Sequence, residues 1–137
     1  MSRHPYLRAY MAGIVVPTVF LLVALTVFVA ARHVWNVPVP VERVIVFPMA
    51  LVPNLWGLWN MLHLWLQSRR MIPLGLYGAA LPFLIAPLAF VVTRLVDFTI
   101  PSFAVNAFPF AFLVAVVVYY LVWKHLVGFL NELLGIA

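Results

Sequence analysis

The chain has 137 residues, of which 67% are hydrophobic and 8% charged, with no cysteine and a formal charge of +5; its mean hydropathy is +1.16. A soluble domain is about half apolar and about a quarter charged, so a water-soluble globule is excluded: too few charges are present to cover its surface. The lack of cysteine removes disulfides, thiolate nucleophiles, iron–sulfur clusters and covalent haem, and basic residues placed singly or in pairs between apolar runs read as topology signals and headgroup contacts, not as a nucleic-acid surface.

The first apolar run covers residues 11–31 and follows Arg3 and Arg8. It ends in Ala30 and Ala31, as a cleaved signal peptide would. Its roughly 20 residues exceed the about 7–15 of a signal peptide's apolar region and match a bilayer-spanning helix, so a retained helix is expected.

The second run covers residues 44–66. Trp56, Trp59, Asn60, His63 and Gln67 fall within an arc of about 100° on one helix, a continuous aromatic and polar face. Polar side chains are costly in hydrocarbon unless partnered, so this face is expected to point into the bundle, a subunit contact or a cavity. Asn54 projects elsewhere.

The third run covers residues 74–93. Gly75, Ala79, Pro82, Ala86 and Thr93 lie nearly on one line with little side-chain volume, the pattern of a helix-packing seam. The fourth covers residues 103–123, and beyond it residues 124–137 form an amphipathic helical tail. One arc of the tail holds Leu126, Val127, Phe129, Leu130, Leu133 and Leu134; the other holds Lys124, His125, Gly128, Asn131 and Glu132. Pro48, Pro53, Pro82, Pro87 and Pro109 lie within spans, where each removes an amide donor and favours a kink.

The joints between the runs are short, so sequential spans are expected to be antiparallel neighbours. Arg32-x-Val34, Pro40, Val44 and Phe47-Pro48-x-Ala50 are echoed by Arg94-x-Val96, Pro101, Val105 and Phe108-Pro109-x-Ala111. The echo suggests two tandem helical hairpins, entering the membrane from the same side. The positive-inside rule places Arg3, Arg8, Arg69, Arg70 and Lys124 on the cytoplasmic side, with both termini there.

His63 and His125 stand near corresponding helix ends, the arrangement that would ligate a b-type haem axially or hold a quinone between them. His4 and His33 look terminal and loop-borne. Glu42, Asp97 and Glu132 all fall outside the spans, and no phosphate loop, HExxH pair or nucleophile elbow occurs, so catalysis has little to build on. Arg94 and Asp97 read as a local ion pair.

The expectation is therefore an all-α four-helix membrane bundle of bacterial inner-membrane type, with no resident cofactor and no metal. Its function would be packing and assembly, as a homo-oligomer or as an accessory subunit of a larger membrane complex. One alternative is a transporter or channel with a pathway lined by Trp56, Asn60, His63, Gln67, Tyr120 and Lys124. The other is a membrane anchor for haem b or a quinone. The expected partners are the lipid bilayer and other membrane subunits, not nucleic acid.

Overall fold

The computed structural model describes residues 3–38, 50–67, 72–95 and 102–136, together with 69, 97 and 99. Among these residues the structure is all-helical, without a strand. Helix α1 is Pro5–Val34, α2 Leu51–Gln67, α3 Leu74–Leu95 and α4 Ser102–Val122. A π-helical turn, Trp123–Val127, joins α4 to a short α5, Gly128–Leu133. The start expected for the second span, Pro48 and much of the first copy of the repeat lie outside the described residues.

Three helices are long and apolar enough to cross a membrane: α1, α3 and the continuous rod Ser102–Leu133. At 1.5 Å per residue the 30 residues of α1 reach about 45 Å, more than the roughly 30 Å of hydrocarbon. The 17 described residues of α2 reach about 25 Å. Helix α1 begins six residues earlier and ends three later than the apolar run, since Pro5 starts it without loss of a needed donor and Arg32 and His33 occupy its last turn, favourable to the carbonyl end.

The helices pack as two antiparallel pairs. In the first, Ala9 meets Asn60 and Gly13 meets Gly57, so α1 and α2 run in opposite directions. In the second, Gly75 lies against Tyr120, Phe83 against Phe112 and Phe90 against Phe108, which sets α3 against α4. The π turn and α5 connect the pairs by touching α1 and α3. The shared core is Leu21, Val52, Trp56, Tyr77, Leu81, Trp123 and Val127, drawn from α1, α2, α3 and the π turn, with Tyr119 and Val122 of α4 packed against it.

Two close approaches define this packing. A Cβ on Gly13 would stand 2.6 Å from the Trp56 carbonyl oxygen and 2.8 Å from the Gly57 Cα, so the two backbones touch there. A Cβ on Gly78 would run into Trp123. Lipid provides no hydrophobic drive between helices, and close backbone contact supplies dispersion in its place. Polar side chains elsewhere on the helices satisfy themselves, Thr26 donating to the Leu22 carbonyl and Thr93 to that of Phe90.

The tail departs from the amphipathic arcs read from sequence. Its buried side is Trp123, Val127 and Asn131, while Leu126, Phe129 and Leu133 are exposed. The π turn is the cause. Over the twelve residues from Tyr119 to Asn131 a regular helix drifts about 120° past three full turns, and one inserted residue takes back about 100°. Tyr119, Trp123, Val127 and Asn131 thus share one face. Helix α5 closes with Gly135 at φ 72, the Gly135 N–H donating to the Glu132 carbonyl and that of Ile136 to the Asn131 carbonyl, a Schellman end.

Candidate functional site

The aromatic and polar face of α2 divides between two neighbours. Asn60 is 1% exposed and looks toward α1 and α5: its amide nitrogen donates one hydrogen to the Ala9 carbonyl and the other to Asn131 Oδ1, each at 2.7 Å. Asn131, 2% exposed, returns a hydrogen bond to Asn60 Oδ1 at 3.2 Å. This reciprocal amide pair joins three helices, and both amide donors of Asn60 are used. Asn54, on the same side of α2, accepts from the Tyr10 hydroxyl of α1 and donates to the Ala50 carbonyl.

Trp56, Trp59 and His63 face α3 and the π turn instead. Trp59 Nε1 donates to the Tyr77 carbonyl at 2.7 Å. His63 packs edge-on against the Tyr77 ring, centroids 4.7 Å apart. Trp56 lies between Tyr119, at 5.0 Å, and Trp123, at 5.4 Å. Four buried polar atoms in this aromatic core have no hydrogen-bond partner among the described residues: Trp56 Nε1, His63 Nδ1, Tyr77 Oη and Trp123 Nε1.

The remaining candidates are scattered. Gln67, Lys124 and His125 are exposed, and no described contact carries the His125 ring to His63. Tyr120 is half-buried over Gly75, with the Lys124 ammonium 5.9 Å from its ring centroid. Of the third-helix stripe, Gly75 and Pro82 are buried, while Ala79, Ala86 and Thr93 are half-buried. Ala86 borders a cavity of about 580 Å³ between α3 and α4, walled by Phe83, Phe90, Phe108 and Phe112. No group of three His or acidic residues suited to a metal occurs among the described residues.

A second cavity, of about 340 Å³, lies between the two helix pairs. Pro17 and Phe20 of α1, Val52 and Trp56 of α2, Ile85 of α3 and Tyr119 of α4 are on its walls. Sequence reading missed this cleft, and it missed the close contact of Gly13 with Gly57, on the side of α1 where Ala9 and Ala12 are also buried. The second had a visible signal: Ala9, Ala12 and Gly13 at spacings of three and one place three small residues on one side of α1.

Compared with family models, with curated proteins and with solved structures, the chain matches none of them.

Proposed function

We propose that this is a four-span protein of two tandem helical hairpins in a bacterial inner membrane, acting by helix packing and assembly. It works as a homo-oligomer or as an accessory subunit of a larger membrane complex. The observation that supports this reading is the use made of the buried amides: Asn60 and Asn131 are spent on each other and on the Ala9 carbonyl. Amides engaged in this way hold helices together and are not free to pass a solute. The outward side of α4 adds support, since that helix has no buried residue and Phe103, Phe110, Leu113 and Val117 are all exposed.

Gentle extraction from the membrane followed by native mass measurement tests this. A mass above that of one chain is expected, from further copies or from another membrane protein. A monomer at every mild detergent condition, with catalysed solute flux when it is returned to liposomes, would replace the proposal with transport.

The topology has its own test. With Arg69 and Arg70 at a cytoplasmic turn, a single cysteine placed at Gln67, exposed at the end of α2, reacts with an impermeant maleimide only from the cytoplasmic face. One at Pro38 reacts only from the outside. The opposite pattern reverses the orientation and puts both termini outside.

A further inference from the structure

We infer that the aromatic groove between α3 and α4 holds one acyl chain of an anionic phospholipid, with the headgroup phosphate on the Arg94 guanidinium. Phe83, Ala86, Phe90 and Arg94 follow one another at spacings of three, four and four, so they share one side of α3. Two rings of α4 face them, Phe112 at 4.9 Å from Phe83 and Phe108 at 5.7 Å from Phe90 between centroids. Ala86 lies between Phe83 and Phe90 on that side and fills little of the space, which amounts to about 580 Å³. Ligand sites range over about 300–1,000 Å³.

The walls point to the ligand's chemistry. Apart from Arg94, every described residue lining the groove is apolar, and a hydrocarbon chain asks for no hydrogen bond from them. Arg94 itself is exposed, in the last turn of α3. An arginine at a membrane helix end lays its methylene stem along apolar surface and sends its guanidinium to the headgroups. The planar fork of that group matches the paired oxygens of a phosphate. Asp97, the acid nearest in sequence, is exposed and meets Arg94 through the backbone, its N–H donating to the Arg94 carbonyl at 3.3 Å. Among the described residues Arg94 has no ion pair, so its charge is open to a headgroup.

Depth and length fit a phospholipid. Phe83 stands about 14 Å from the start of α3 and about 18 Å from its end, near the middle of the membrane. From there to Arg94 the helix rises about 16 Å, about half of the roughly 30 Å of hydrocarbon. The groove thus follows the path of one acyl chain through one leaflet and ends at headgroup level on a cation. The phosphate of a zwitterionic lipid is already balanced by that lipid's own ammonium, whereas the phosphate of phosphatidylglycerol is left to the protein. The site is made by α3 and α4 of one chain and does not depend on the assembly proposed above.

The test is native mass spectrometry of the delipidated full chain, titrated with phosphatidylglycerol or with phosphatidylcholine of the same acyl chains. One phosphatidylglycerol is expected to stay on, held about fivefold more tightly than phosphatidylcholine, the effect of one cation near an anionic headgroup. Arg94→Gln should abolish that preference and leave phosphatidylcholine binding as it was. Arg69→Gln, which removes the same charge beyond the other end of α3, should keep the preference. Ala86→Phe, which fills the groove, should lose both lipids while circular dichroism stays helical. Val91→Trp, at an exposed position on the same wall, should do so without crowding the bundle. Equal retention of the two lipids by wild type, the same preference in Arg94→Gln, or unchanged binding in both filling variants overturns the inference. So does a lipid-free dimer that the filling variants break, which gives the groove to a second copy of the chain.

Discussion

Gly13→Leu is expected to destabilise the fold by about 3 kcal/mol or more, at or beyond the upper end of overpacking costs. The obstacle at Gly13 is the backbone of α2 itself, the Trp56 carbonyl and the Gly57 Cα, and neither can turn aside as a side-chain tip would. Relief requires α1 and α2 to separate, which also lengthens the bond from Asn60 to the Ala9 carbonyl one turn away. Gly128→Ala is the control, because a Cβ there meets its nearest atoms at 3.7 Å, ordinary contact. Reversible unfolding in bicelles, read for both variants, checks the difference; equal stability would mean that the α1–α2 crossing is not as close as described.

Asn131→Leu is expected to cost about 1–3 kcal/mol, above the roughly 0.6 kcal/mol average of hydrogen bonds between membrane helices. Membrane hydrogen bonds are weak on average because the separated helices find other partners. Here the stranded group is Asn60, 1% exposed, with one amide hydrogen and Oδ1 left unpaired. The double variant Asn60→Leu, Asn131→Leu should therefore cost less than the sum of the single changes, since it removes both halves of the pair at once. Additive losses in the same unfolding measurement would show that the two amides do not depend on each other.

The all-helical character was legible in the sequence, because apolar runs near the thickness of a bilayer have few alternatives, whereas apolar content does not mark where a helix ends: α1 has 30 residues and the last rod runs on to Leu133. The phase of each helix was legible only in part. Residues 124–137 read as one regular amphipathic turn after another, which put Asn131 on the same side as Lys124; a single π turn at Trp123–Val127 changes the phase and brings Asn131 to Asn60. Periodicity counts residues at a fixed angle and has no means of registering an inserted one. Asn60 reads from sequence as a polar group needing a partner, and Asn131, to which it bonds, lies 71 residues away, a distance at which local pattern carries no information. The closest approaches left a better trace: Gly13 precedes Pro17, and Gly78 precedes Pro82, each by one turn. Both glycines present a small surface in a helix that its proline leaves without the usual amide bond. The cleft left no trace, since it is bounded by residues of four helices whose apolar character is the same as that of residues facing lipid.

The guanidinium of Arg8 donates to the Leu134 carbonyl at 3.3 Å, across 126 residues of chain, and the amide pair beside it also needs α5 in place. The first tie joins α1, and the second α2, to a helix synthesised after both. During synthesis at about 5–20 residues per second, α1 and α2 can pair as soon as they have emerged, yet Asn60 must wait several seconds more for its partner. Synthesis of α5 is thus itself the locking step. A product that ends before Asn131 retains every long helix and still carries an open amide at Asn60.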